Sequence, residues 1–194
     1  MLTAILMASG FSRRMKKNKL LLDFQGKPLV EYTMQAIHEY PFDQAFVIAR
    51  DPIIKSLAQK YGLYVLENPN PQRGQSESIK IGVNAAMESS SYMFFVGDQP
   101  FITKELISEL ANLHKLHPDS IIIPSYEKKN GNPVIFPASL RNSLLEIQGD
   151  IGGRYVIRNN PDKVMFCETK DKLPLLDIDT EEDFEQIKRG IQRL

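Results

Sequence analysis

The sequence predicts a three-layer α/β domain built on a mostly parallel sheet. Short β-branched or aromatic runs alternate with longer amphipathic stretches along most of the chain, which implies parallel strands with helices on both faces. The runs are too short for typical helices. The chain's 194 residues, 42% of them apolar, suit one domain, residues 1–194, with a sizeable core.

Strands are predicted at Thr3–Met7, Gln44–Ala49, Leu63–Glu67, Tyr92–Val96 and Ser120–Pro124, and helices at Leu29–Glu39, Pro52–Lys60, Ser76–Glu88 and Lys104–His117. Leu106, Ile107, Leu110 and Leu113 carry the i, i+3, i+4, i+7 spacing of a buried helical face. Thr103 stands where an N-cap belongs, and Pro118 where the helix stops. Further on, Val134–Phe136 and Val164–Glu168 read as strands and Ser139–Ile147 as a helix. Glu181–Arg193 reads as a terminal helix capped by Thr180.

Twenty-four basic residues balance 24 acidic ones, so no broad electrostatic footprint exists for nucleic acid or an anionic membrane. Attraction for anions must be local. The single cysteine, Cys167, excludes an intramolecular disulfide and a Cys-based zinc site, and a reducing, cytoplasmic setting is the expectation. Residues 1–10 are apolar, but the charges Arg13, Arg14, Lys16 and Lys17 follow them, the reverse of a signal peptide. No apolar run approaches the ~18 residues a membrane helix needs.

In parallel α/β sheets ligands bind beyond the carboxyl ends of the strands, so functional residues are expected in the loops there. After the first strand, Ala8, Ser9, Gly10 and Ser12 are small enough to let backbone N–H groups approach an anion. Arg13, Arg14, Lys16, Lys17 and Lys19 then place five cations within seven residues, suited to a triphosphate. The other reading is a solvated charged loop. Neither G-x-x-x-x-G-K-[ST] nor G-x-G-x-x-G is present. After the fourth strand comes Gly97-Asp98-Gln99-Pro100. A carboxylate there suits Mg²⁺, which takes one or two protein carboxylates beside substrate phosphates, with Gly97 leaving room for a nucleotide. The other reading is an Asx-turn.

Four later segments carry weaker signals. Gly74-Gln75-Ser76-Glu77-Ser78 precedes a helix that Ser76 or Ser78 can cap. Gly131-Asn132-Pro133 is a turn signal. Gly149-Asp150-Ile151-Gly152-Gly153-Arg154 places an aspartate where it can cap a helix start. Leu176-Asp177-Ile178-Asp179-Thr180 leads into the terminal helix with acidic residues in its first turn. His38, His114 and His117 lack a third ligand at metal spacing, and Cys167 reads as a small buried residue.

These segments, in this order, resemble the MobA-like nucleotidyltransferases, and particularly the molybdenum cofactor cytidylyltransferase branch. Met7 to Gly10, Ser12, Arg14-Met15 and Lys19 follow the signature L-A-A-G-x-S-x-R-M-G-x-x-K, with Lys16 where the family has Gly. Gly97-Asp98-Gln99-Pro100 follows G-D-x-P, and Asn132 replaces the His of a G-H-P turn. The resemblance implies a Rossmann-like fold of the nucleotide-diphospho-sugar transferase type. It implies Lys19, Arg14 and Asp98 as catalytic residues, with Asp98 binding Mg²⁺. The nucleotide would lie against Ala8, Ser9, Gly10, Ser12, Arg14, Lys19, Gly74, Ser76 and Ser78, and the acceptor against Asn132, Asp150 and Arg154. Asp177 or Asp179 would lie near the metal.

The expected reaction is transfer of CMP from CTP to molybdenum-loaded molybdopterin, with pyrophosphate released. The family's guanylyltransferases carry Gly-Gly where this chain has Ala8-Ser9; a side chain at Ser9 narrows the pocket and favours CTP over GTP. Two alternatives stand beside it. One is a nucleotidylyltransferase for a sugar phosphate or another small phosphorylated acceptor. The other is a non-catalytic carrier delivering finished cofactor to a molybdenum hydroxylase apoenzyme.

Overall fold

Strand β1 (Leu2–Met7) sits mid-sheet because both of its faces are apolar. Ala4 and Leu6 enter one core, and Ile5 enters the other, as the two-residue period of a strand requires. The computed structural model describes residues 1–10, 18–86 and 88–191. After β1 come β2 (Asp23–Phe24), β3 (Lys27–Pro28), α1 (Leu29–Glu39), β4 (Gln44–Ala49), α2 (Pro52–Lys60), β5 (Tyr64–Glu67), α3 (Gln75–Ala85) and β6 (Ser91–Val96). The chain continues through α4 (Lys104–Leu116), β7 (Ile121–Tyr126), β8 (Lys129–Asn130), β9 (Val134–Pro137), α5 (Arg141–Glu146), α6 (Arg154–Arg158), β10 (Val164–Glu168) and α7 (Glu181–Ile191).

The main sheet has the order β10-β7-β9-β6-β1-β4-β5, with β8 paired to β7. Strands β6, β1, β4 and β5 run parallel to one another, while β9 runs antiparallel to both β6 and β7. Residues of α1, α2 and α4 fill one face with Val47, Met93 and Phe95; those of α3, α5 and α6 fill the other with Ile48, Tyr92 and Phe94. This is the mostly parallel, three-layer architecture the alternation predicts. None of the helices, among the described residues, is long and apolar enough to cross a membrane.

Helices α1 and α2 and strands β4 and β10 fall on the predicted residues, and Thr103 caps α4 by accepting from Leu106 N at 3.3 Å. Three expectations need correction, and one hairpin is added. Neither Ser76 nor Ser78 caps α3, whose cap position is Gly74. That helix closes at Ala85 rather than Glu88. The predicted helix from Ser139 opens as a 3-10 turn, Ala138–Leu140, and becomes α-helical only at Arg141. Strands β2 and β3 went unpredicted because each holds two residues; they form a hairpin around Gln25 and Gly26, both at positive φ, the geometry of a type I′ turn.

That hairpin matters for the site. Phe24 packs with Leu29, Ile178 and Phe184 in a third apolar cluster, and Ile178 N donates to Asp98 O at 3.0 Å. Together these contacts return the C-terminal segment to the carboxyl edge of the sheet.

Candidate active site

Met7 and Val96, the last residues of β1 and β6, are paired in register, so the loops leaving both strands emerge side by side. Asn18 opens a 3-10 turn, Lys19–Leu21, its carboxamide oxygen accepting from Leu20 N at 3.2 Å. Leu20 is buried beneath Gly97, where a Cβ would stand 3.1 Å from the side chains of both Leu20 and Val30. The missing Cβ thus makes room for core packing, while Gly97 itself also borders the cavity at the strand ends. That packing directs Lys19 across the strand ends.

Lys19 Nζ lies 2.6 Å from Asp98 Oδ2 and 2.9 Å from Asp179 Oδ1, and donates to Ile178 O at 3.3 Å. Burial pulls the lysine's pKa down, but the attraction of Asp98 and Asp179 outweighs it, leaving the ammonium more firmly protonated than an ordinary lysine. Asp177 also shifts upward, but toward its neutral form. Burial, then repulsion from Asp98 and Asp179, raises its pKa to about 6. Asp98 Oδ1 is buried and has no hydrogen-bond partner among the described residues. An unpaired carboxylate oxygen in such a position is costly unless a ligand completes it. Three potential ligands at metal spacing are not found among the described residues. A hard oxygen donor with few protein neighbours fits Mg²⁺, which keeps waters and substrate phosphates in most of its positions.

A cavity of about 380 Å³ opens beside this cluster, bounded by Gly10, Lys19 and Asp98 at one end and by Gly74 and Gln75 at the other. Its floor is neutral. Ser9 Oγ and Ser78 Oγ lie 2.8 Å apart, and Asn68 Nδ2 donates to them at 3.0 and 3.2 Å. The far wall closes through Asp150, whose Oδ1 accepts from Gln75 N at 3.2 Å. Asp150 therefore caps α3 across the cleft, where the sequence suggested a cap for its own segment. Gly74, at φ +83°, is needed there, since a Cβ would stand 2.5 Å from Asp150 Oδ1.

Of the residues singled out from sequence, Ser9, Gly10, Lys19, Gly74, Ser78, Asp98 and Asp150 line this one cavity. Ala8 is buried beside a neighbouring cavity of about 300 Å³ bounded also by Arg50 and Asp51. Ser76 turns its hydroxyl to Arg73 O at 3.4 Å. Asn132 precedes Pro133 across a cis bond and Arg154 is exposed at the start of α6; neither lines the cavity. Ser12 and Arg14 lie outside the described residues. Asp179 reaches Lys19, while Thr180 also acts as the expected cap: its Oγ1 accepts from Asp183 N, and Asp183 Oδ2 accepts from Thr180 N at 2.9 Å. Asn68 was not singled out. Its signal was its place, an Asn-Pro just past the carboxyl end of β5.

A parallel α/β sheet with a small-residue loop, a lysine and an aspartate converging at its carboxyl edge has the features of a nucleotide-binding transferase. The chain belongs to the MobA-like NTP transferase family, whose domain profile matches residues 4–164. It is 24% identical over 204 residues to the purine catabolism protein PucB of Bacillus subtilis, covering 98% of this chain and 97% of that protein. It is 29% identical over 123 residues to a "probable molybdenum cofactor guanylyltransferase" of Natranaerobius thermophilus, covering 63% of this chain and 59% of the relative. In fold it is similar to Rv0371C of Mycobacterium tuberculosis H37Rv, solved in complex with manganese. That match has a TM-score of 0.80 at 18% identity, over 97% of this chain and 98% of the other.

Proposed function

We propose that this nucleotidyltransferase transfers CMP from CTP to the phosphate of molybdenum-loaded molybdopterin, releasing pyrophosphate. The observation that carries the reading is the contact of 2.6 Å between Lys19 and Asp98 at the mouth of the cavity, with the second Asp98 oxygen unpartnered. A cation donor and an open carboxylate at one point suit a triphosphate whose charge shifts during reaction.

The acceptor phosphate oxygen attacks the α-phosphorus in line, and the bond to the bridging oxygen breaks, its electron pair leaving with pyrophosphate. Such transfer depends mainly on positioning and charge neutralisation. Lys19 turns from the carboxylates to the α-phosphate and the leaving pyrophosphate; Gly10, Ser12 and Arg14 are assigned to the same phosphates on the strength of the family signature. Asp98 and Asp179 are the residues that would hold Mg²⁺; bound there, the ion supplies Lewis-acid neutralisation of phosphate oxygens. Ser9 occupies the floor, which favours the smaller pyrimidine; Asp150 in the cavity wall, and Asn132 and Arg154 outside its lining, are assigned to the acceptor. The molybdenum cofactor guanylyltransferase relative supports a molybdopterin-type acceptor.

The test is pyrophosphate release from CTP and GTP with Mg²⁺, with and without molybdenum-loaded molybdopterin. Acceptor-dependent release with CTP, lost in Asp98→Ala, is expected. Release driven instead by a sugar phosphate would replace the acceptor, and binding of molybdopterin with no release from either nucleotide would make the chain a carrier.

A further inference from the structure

We propose that Asn68 is a positioning residue for nucleotide recognition: its side-chain amide holds Ser9 and Ser78 in the hydrogen-bond polarity that leaves one hydroxyl proton for an acceptor on the bound base. The proposal rests on this cavity being the nucleotide site.

Asn68 joins three elements. It follows β5, Ser9 follows β1, and Ser78 lies in the first turn of α3. All three side chains are buried, at 3%, 4% and 4% exposure. Both serines line the cavity and Asn68 does not, so Asn68 reaches a ligand only through them.

The orientation of the amide follows from its neighbours. Asn70 N donates to Asn68 Oδ1 at 2.9 Å. A backbone N–H can only donate, so the carbonyl end faces Asn70 and the NH₂ faces the serines. Nδ2 then donates to both hydroxyl oxygens, at 3.0 and 3.2 Å. Neither serine can donate back to it. The contact of 2.8 Å between the hydroxyls uses one of their two protons. One proton is left over, and among the described residues no further protein acceptor is recorded for either hydroxyl. A ring nitrogen or carbonyl oxygen on the edge of a nucleobase is the matching ligand group. Free phosphate chemistry is handled elsewhere, at Lys19.

Asn68→Asp keeps the size and reverses the polarity. One carboxylate oxygen still accepts from Asn70 N, and the other accepts from both serines, consuming both protons. The experiment titrates CTP and inorganic tripolyphosphate separately against the wild-type chain, Asn68→Asp, Asn68→Ala, Ser9→Ala/Ser78→Ala and the triple alanine variant. Melting of each variant is followed alongside. CTP affinity is expected to fall roughly tenfold or more in Asn68→Asp, while tripolyphosphate, which has no base, stays within about twofold. In the serine-free background, Asn68→Ala is expected to add nothing further, because coupled residues are non-additive.

Equal losses for CTP and tripolyphosphate would mark Asn68 as merely structural and overturn the proposal. So would a full Asn68→Ala loss persisting without the serines. If the Asp variant does not fold, the alanine cycle decides. A wild-type chain that binds neither CTP nor GTP overturns both this proposal and the assigned reaction; binding indifferent to Asn68 overturns this proposal alone.

Discussion

The two ends of one cavity are built in opposite ways. The rim, Lys19 with Asp98 and Asp179, is charged and partly open, and joins residues 79 and 160 positions apart. The floor, Ser9 with Asn68 and Ser78, is neutral and buried. Charge held at a solvent-facing rim can change partners when a ligand arrives. Neutral groups sealed beneath the strand ends cannot easily do so, and they fix shape and hydrogen-bond polarity instead. The difference assigns turnover to the rim and choice of base to the floor.

The sharpest way to break this division is at the rim. Lys19→Ala is expected to lower kcat by about 10²–10³, the usual cost of losing one preorganised donor, with CTP affinity changed far less. Melting temperature is expected to fall only modestly, because Asp179 is exposed while the more buried Asp98 loses its counter-charge. A kcat near wild type, measured by pyrophosphate release, would move the chemistry away from this lysine.

Asp179→Asn comes next, with a fall in kcat of about tenfold, the equivalent of roughly 1.4 kcal/mol. Its side chain is 53% exposed, so water screens it more than Asp98. This variant separates the two carboxylates and asks whether the C-terminal segment belongs to the working rim. An unchanged kcat and an unchanged Mg²⁺ requirement would confine the rim to Lys19 and Asp98.

How much of this was visible in the sequence divides along the same line. Helix α1 and strand β4 fell on their predicted residues because apolar period and boundary signals agree there. Lys19 and Asp98 were visible as individual residues, because loops at the carboxyl ends of parallel strands are where charged groups act. The approach of Asp179 was expected only from the family resemblance and as an alternative to Asp177, since it depends on Phe24 and Ile178 packing in a cluster that no local period announces. Asn68 was missed for a related reason. A buried polar residue is recognised by its partners, and Ser9, though visible by itself, stands 59 positions away until the fold brings it to Asn68. Asp150 shows the limit most plainly: a local cap was expected, and the residue caps a helix that begins 75 positions earlier in the chain.

On the floor, Ser9→Gly is expected to leave CTP turnover within about threefold and to reduce the CTP-over-GTP preference roughly tenfold, the scale set by small steric differences in a pocket. Competition between the two nucleotides at equal concentration measures this directly. A preference unchanged by the loss of the side chain would mean that base choice lies with Ser78 or the backbone alone.

The smallest effect lies outside both regions and serves as their control. Glu31 is buried on α1, accepting from Lys60 Nζ at 2.8 Å and Tyr61 OH at 2.9 Å. The hydrogen bond from Lys60 holds its carboxyl below the ordinary range, against the opposing effect of burial. A carboxylate with a depressed folded-state pKa stabilises the fold above its unfolded value, near 4.3, and that contribution fades as pH falls through the folded value. Lys60 is largely exposed, so screening keeps the gain small. Glu31→Gln is expected to lower the melting temperature by roughly 1–3 °C at pH 7, with the gap to wild type closing as the pH drops below about 4. The kcat and the CTP-over-GTP ratio should stay fixed throughout. A change in either would mean that the cavity responds to packing between α1 and α2, and the division between rim and floor would then extend into the helical layer beneath them.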